Sequence, residues 1–265
     1  MSLEQAVARL GLRQPLFEAG HVWLAGAGPG GLGCLTLDVV AAIAVADAVV
    51  YDALVDPAVL QAADGAETHF VGKRAGHPST TQDDINRLLL RLAGEGKRVL
   101  RLKGGDPNIF SRGGEEALAL AEAGVPFRFL PAVTAGLGAL AHVGIPATVR
   151  GINKAIILAT GHAVGAADDL DWAALARTGQ PIVIYMGLNN LAGIASSLVA
   201  GGLPPNMPTA VVMAATTPDE RLLVGDLGTI AAEATNAGIG SPAIIVVGAI
   251  VAMRQTLRDL AAASP

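Results

Sequence analysis

From Val22 to Val251 the chain alternates short apolar runs with helical stretches, and this alternation restricts its fold more than any other feature. The runs VWLA, DAVVYD, THFVGK, KRVLRLK and VPFRFLP read as strands. Between the third and fourth, STTQDDINRLLLRLAGEG reads as a helix, with Thr80 or Thr81 as cap, Asp83 and Asp84 in the first turn, and Gly94 and Gly96 as its stop. Leu35 to Ala46 and GGEEALALAEAG read as further helices. Strands that alternate with helices imply an α/β architecture. Hydrophobic residues are 52% and charged residues 15% of the 265, enough apolar surface for a substantial core. The character changes after Pro131, where AVTAGLGALAHVGIP is rich in small residues and predicts a helix at a junction. A second strand–helix series comes next: AIILAT, DWAALARTG, PIVIYMG, NLAGIASSLVAGG, TAVVMAA, then LLVGDLGTIAAEA and PAIIVVGAIV. The expected organisation is an N-terminal extension over 1–20, an N-terminal α/β domain over 21–135 and a C-terminal α/β domain over 136–254.

A net charge of -5 gives no global field for nucleic acid, and 3% aromatic residues are too few for base-stacking platforms. The single cysteine, Cys34, excludes an intrachain disulfide and a CxxC metal site, and is expected to pack as a small buried hydrophobe. MSLEQAVARLGLRQ lacks the apolar region of a signal peptide. VVAAIAVADAVV is interrupted by Asp47 and is too short to span a bilayer. The expectation is a soluble, cytoplasmic protein without membrane or nucleic-acid partners.

Four stretches follow predicted strands directly: GAGPGG (26–31), YDAL, KGGDP and YMG. In open α/β sheets ligands gather at the carboxyl ends of strands. GAGPGG fits G-x-G-x-x-G, and Asp52 stands about 20 residues on, where a dinucleotide fold places its ribose ligand. Pro29 argues otherwise, since it has no N–H to offer a pyrophosphate. Gly104-Gly105-Asp106-Pro107 reads either as close backbone approach to a ligand or as a tight turn with Asp106 capping the next segment.

GAGPG, YDALV, VGKRAGH, RLKGGDPNIFSRGGEE, VTAG, GIPATVRG, ATGH, YMGLNNL, AATTP and SPAIIVVG occur in the order seen in the uroporphyrinogen-III C-methyltransferases. These are a branch of the tetrapyrrole (class III) S-adenosylmethionine methyltransferases, which the chain resembles from about Val22 to Val251. GAGPG and PAIIVVG are shared across the wider family, whereas the segment around KGGDP and RGGEE is nearly diagnostic of the branch. The resemblance implies two α/β domains with the cofactor in the cleft between them, and a homodimer. It also implies transfer of methyl groups from S-adenosylmethionine to two ring carbons of uroporphyrinogen III, giving S-adenosylhomocysteine and precorrin-2 for sirohaem or cobalamin.

By the same resemblance, cofactor contacts fall on Pro29, Gly104, Gly105, Asp106, Ile109, Thr134, Ala135, Met186 and Ala215. The acid–base residues fall on Asp52 and Lys73, and Arg74, His77, Arg112 and Arg150 supply positive charge for the polycarboxylate substrate. Taken singly, Met186 would read as core and Lys73 as a solvated charge. The chain departs from the usual pattern at Gly31, Asn108, Ser111 and Val149, at Ala132-Val133, and at Gly248–Val251.

The chemistry agrees with the residues. Methyl transfer from a sulfonium needs an electron-rich carbon held in line behind the S–CH3 bond, and a site free of competing water. A carboxylate such as Asp52 can hold pyrrole N–H groups or stabilise the cationic ring. No metal is required, and His77, His142 and His162 are scattered rather than clustered. The alternatives are a precorrin methyltransferase of the same fold, a protein that binds the cofactor without turnover, and an NAD-binding oxidoreductase.

Overall fold

A computed structural model describes residues 1–11, 16–72, 80–162 and 169–262. The chain divides into two compact units. Unit 1 comprises 1–27 and 35–132, and unit 2 comprises 28–34 and 133–265.

Unit 1 is built on five strands, β1 (Val22–Gly26), β2 (Ala48–Tyr51), β3 (Glu67–Phe70), β4 (Val99–Lys103) and β5 (Phe127–Leu130). They run in the order β3-β2-β4-β1-β5, all parallel. Among the described residues, the α-helices that accompany them are α1 (Leu3–Arg9), α2 (Leu37–Ile43), α3 (Gln82–Gly94) and α4 (Gly113–Glu122). The period-two alternation of a strand sends neighbouring side chains to opposite faces. Trp23, Ala25, Leu100 and Leu102 therefore pack with Val39, Ala42 and Ile43 of α2. Val22, Leu24 and Val99 pack with Leu89 and Leu92 of α3 and Leu120 of α4. Thr81 caps α3 by accepting from Asp84 N–H, and the Asp84 carboxylate in turn accepts from Thr81 N–H at 3.2 Å.

The helix expected from Leu35 to Ala46 is shorter. A 3-10 turn covers Leu32–Cys34, and α2 begins only after Thr36, whose extended backbone and hydroxyl cap Val39 N–H. Cys34 is half-buried rather than a core residue.

Unit 2 holds β6 (Ile157–Thr160), β7 (Ile182–Tyr185), β8 (Pro208–Met213), β9 (Arg221–Asp226) and β10 (Ala243–Val247), in the order β6-β7-β10-β8-β9. Only β6 and β7 pair in parallel; β10 runs antiparallel to β7 and β8, and β8 to β9. Its helices are α5 (Ala135–His142), α6 (Trp172–Arg177), α7 (Leu191–Ala200), α8 (Ile230–Asn236) and α9 (Ile250–Ala262). Ile182, Ile184, Val211 and Ile245 form one core with Trp172, Leu198 and Ile230. Among the described residues no helix is long and apolar enough to cross a membrane.

Candidate functional site

In unit 1 the carboxyl ends of β1, β2 and β4 meet. A Cβ on Gly26 would lie 2.3 Å from the carbonyl oxygen of Gly105 and 2.6 Å from Ala132 Cβ, so only glycine lets β1 end against the turn after β4. Gly104 packs against Leu54, two residues beyond Asp52, and Gly105 adopts φ 70°. Asp106 fills the capping role: Oδ1 accepts from Asn108 N–H at 2.8 Å and Oδ2 from Ala132 N–H at 2.9 Å. Ile109 is tied to the same turn through its N–H to Asp106 O at 3.3 Å. Asp52 follows β2 directly. Its Oδ1 accepts from Leu54 N–H at 3.1 Å, and its Oδ2 lies 3.6 Å from Arg101 Nη2.

Arg112 precedes α4 in the left-handed conformation, φ 61°, and forms a two-pronged pair with Glu115 at 2.7 and 2.6 Å. That pairing raises the guanidinium pKa above its ordinary value. Lys73, Arg74 and His77 lie outside the described residues.

Unit 2 brings Pro29, Thr134, Ala135, Met186 and Ala215 onto adjoining segments. Tyr185 ends β7, and its phenol oxygen lies 2.9 Å from Thr134 Oγ1 and accepts from Gly136 N–H at 3.0 Å. The phenol thus caps the start of α5 in place of Thr134, whose hydroxyl makes no cap bond. The fit is tight: a Cβ on Gly136 would stand 2.3 Å from Tyr185 Oη. Met186 follows at φ 53° and is half exposed, so it is not a core residue. Pro29 packs on Gly138 of α5.

The Gly-rich turn also leans on the segment after β8. Gly31 N–H donates to Thr216 Oγ1 at 2.9 Å. Ala214 and Thr216 adopt φ 47° and 68°, beside the buried Ala215. Left-handed geometry at non-glycine residues is costly and persists only where surroundings impose it. Here Glu220 does so, accepting from Thr216 N–H at 2.8 Å, with His142 Nε2 3.5 Å from the same carboxylate oxygen. Arg150 is exposed on a turn organised by the buried Asn153, which accepts from Val149 N–H at 2.8 Å and donates to the carbonyls of Ala147 and Ala155. His162 is exposed.

This geometry weakens the dinucleotide reading of GAGPGG. Pro29 lacks a donor and the Gly31 donor is spent on Thr216. The next α-helix in sequence, α2, begins six residues beyond Gly31, so the turn does not run directly into an α-helix N-terminus as a dinucleotide fingerprint does.

Three features escaped the sequence reading. Tyr185 and Thr216 stand beside the matched residues Met186 and Ala215, and adjacency was their only signal. The third is a buried charge cluster, Arg101, Lys103 and Glu116. Arg101 and Lys103 share one face of a strand that is otherwise apolar on both faces, and that spacing was visible. Burial, with the Arg101 charge beside it, holds the Lys103 ammonium below the usual lysine range.

With these positions established, the chain was compared with known proteins. Residues 21–231 match the family model of the tetrapyrrole (corrin/porphyrin) methylases. The chain is 47% identical over 246 residues to a uroporphyrinogen-III C-methyltransferase of Sinorhizobium sp, covering 92% of this chain and 88% of that one. It is 46% identical to the siroheme synthase of Gluconacetobacter diazotrophicus over 95% of its own length, but spans only 54% of that relative. Among solved structures, the uroporphyrin-III C-methyl transferase of Thermus thermophilus complexed with S-adenyl homocysteine superposes with a TM-score of 0.76 at 37% identity, covering 88% of this chain and 99% of that one.

Proposed function

The chain belongs to the tetrapyrrole methylases, and from that premise we propose that it is an S-adenosylmethionine-dependent uroporphyrinogen-III C-methyltransferase. The observation that carries this reading is the pairing of a 47% identical relative of that name with site motifs present in order along nearly the whole chain.

The residues of unit 2 fit the cofactor. Pro29, Thr134, Ala135, Met186 and Ala215 are uncharged, and the Gly-rich turn keeps its Gly31 donor for Thr216. Such a set suits a nucleoside without phosphates better than a dinucleotide. When bound, S-adenosylmethionine supplies an electrophilic sulfonium methyl group. In unit 1, Gly104, Gly105, Asp106 and Ile109 complete the proposed cofactor contacts. Asp106 spends its carboxylate on shaping the turn, so its part is to present backbone.

Asp52 accepts pyrrole N–H groups of the tetrapyrrole and offsets the positive charge that develops on the ring as the new C–C bond forms. Its Oδ1 and Oδ2 each carry one intramolecular partner, and a carboxylate has about four acceptor positions, which leaves room for ligand donors. Lys73 is assigned acid–base work, and Arg74, His77, Arg112 and Arg150 the substrate carboxylates. The reading includes no metal. It extends to a cytoplasmic homodimer, with product passing to sirohaem or corrinoid synthesis.

The test is incubation with uroporphyrinogen III and labelled S-adenosylmethionine, followed by product mass. A gain of two methyl groups is expected. A methylated product from another tetrapyrrole, with uroporphyrinogen III untouched, would move the chain to a different member of the family. Binding of S-adenosylhomocysteine without any turnover would make it a binding protein.

A further inference from the structure

The charge cluster of unit 1 has no place among the proposed cofactor and substrate contacts, yet it reaches Asp52. The side chains of Arg101, Lys103 and Glu116 are 3%, 3% and 0% exposed. Glu116 Oε1 accepts from Lys103 Nζ at 2.8 Å, Arg101 Nε at 3.1 Å and Gln82 Nε2 at 3.4 Å. Its Oε2 has no hydrogen-bond partner among the described residues. Three charges buried away from bulk solvent are a poor way to gain stability, because desolvation offsets the attraction. What such a cluster does well is fix a direction.

The guanidinium of Arg101 is fixed on three sides. Nε donates to Glu116, and Nη1 donates to the carbonyl of Leu102 at 2.9 Å and to that of Val50 at 3.4 Å. A guanidinium is planar and rigid, so these bonds also set the direction of Nη2. That nitrogen faces Asp52 Oδ2 at 3.6 Å, while Leu54 N–H holds Oδ1 at 3.1 Å. The Asp52 carboxylate is therefore hydrogen-bonded at one oxygen, faces a buried cation at ion-pair distance from the other, and is still 25% exposed.

We propose that Arg101 and Glu116 are positioning residues for methyl transfer: Glu116 sets Arg101, and Arg101 sets the Asp52 carboxylate in the orientation that receives the tetrapyrrole. The proposal rests on the reading of Asp52 as the group that faces the tetrapyrrole. It distinguishes Arg101 from a core arginine by one property, that its effect on turnover passes through Asp52.

A double-mutant cycle on the full chain reads that property, with kcat for uroporphyrinogen III methylation and calorimetric affinity for S-adenosylhomocysteine as the measurements. Arg101→Lys keeps the buried positive charge but loses the fork. It should lower kcat about tenfold and leave S-adenosylhomocysteine affinity within about twofold. Asp52→Asn should lower kcat about 10²-fold with the same affinity. In the Asp52→Asn background, Arg101→Lys should change kcat by less than about twofold. Glu116→Gln keeps Arg101 and the side-chain shape and supplies a second route should Arg101→Lys fail to fold. It should also lower kcat, and lose that effect in the Asp52→Asn background.

Tenfold losses that multiply in the double variants would overturn the positioning role and leave the reading of Asp52 intact. So would unchanged kcat in both Arg101→Lys and Glu116→Gln while Asp52→Asn is impaired. Full turnover in Asp52→Asn itself would overturn both.

Discussion

In unit 1 the side chains at the carboxyl end of the sheet are held by charge: Asp52 by Arg101, Arg101 by Glu116, and Arg112 by Glu115. In unit 2 the corresponding strand ends are held mainly by neutral groups and by backbone, namely the phenol of Tyr185, the hydroxyl of Thr216, and left-handed residues at 186, 214 and 216, with the Glu220 carboxylate on Thr216 N–H as the charged contribution. The two sheets differ in the same sense. An all-parallel sheet covered on both faces has a buried strand, β4, on which ionic side chains can be locked beneath a helix. In the mixed sheet of unit 2 the central strand, β10, carries only apolar side chains, and close packing at Gly136 and Gly138 sets the geometry around the start of α5.

The contrast breaks most visibly at Gly136. Gly136→Ala places a methyl group 2.3 Å from Tyr185 Oη, and the phenol must leave Thr134 and Gly136 N–H. Overpacking of this kind costs about 1–3 kcal/mol, so calorimetry should show S-adenosylhomocysteine affinity falling roughly ten- to a hundredfold. The opposite signature is expected of Asp52→Asn, which strikes turnover and spares affinity. An unchanged affinity in Gly136→Ala would remove the start of α5 from the cofactor site.

A smaller effect is expected from Thr216→Val. Shape is kept and the left-handed backbone is no more strained than before, but Gly31 N–H loses its acceptor. A partly buried hydrogen bond contributes about 0.5–1.5 kcal/mol, so affinity should weaken by roughly two- to tenfold. If instead kcat falls with affinity intact, the Gly-rich turn serves the tetrapyrrole rather than the cofactor.

The smallest effect lies at an ion pair far in role from either ligand. Arg98 grips Asp47 at 2.8 and 2.6 Å and also donates its backbone N–H, which lowers the Asp47 pKa from 3.8 to about 2. A folded-state pKa below the unfolded one stabilises above the unfolded value, and the benefit is lost as pH falls through the folded value. The pair should thus contribute fully above pH 4 and fade between about pH 4 and about pH 2. Because the carboxylate is 39% exposed, the contribution should be only about 1 kcal/mol. Urea unfolding of wild type against Asp47→Asn checks it: the stability difference should shrink as pH drops below 4, with methyl transfer at neutral pH unaltered. A difference independent of pH would assign the loss to packing.

The α/β class and the order of strands and helices were legible in the sequence because each element is announced within a few residues. Thr81 and Asp84 mark the start of α3 three residues apart, and Val22–Gly26 is apolar throughout. The early helix was overread for the same local reason: its small apolar residues fit a helix from Leu35, but Thr36 holds an extended backbone and starts the helix later. The motifs also located the strand ends where candidate residues stand. What they could not supply was which side chain secures which. Tyr185 reads as one more apolar strand residue until its phenol is seen at α5, and Glu116 reads as a surface charge of an amphipathic helix until it is found with no exposure.

By itself, then, the sequence determined the strand–helix order, the likeness to the tetrapyrrole methylases and the positions able to carry their chemistry. All of these reside in short contiguous runs. Only the tertiary structure decided that the turn at 28–34 packs with unit 2, that its Gly31 donor is consumed, and that Asp52 faces a buried cation. The physical reason is distance along the chain. Gly31 and Thr216 are 185 residues apart, Tyr185 and Thr134 are 51, and Arg98 and Asp47 are 51, so no local propensity or spacing encodes these bonds. They form because folding buries polar groups whose hydrogen bonds must then be met by whatever partner the packed chain brings near.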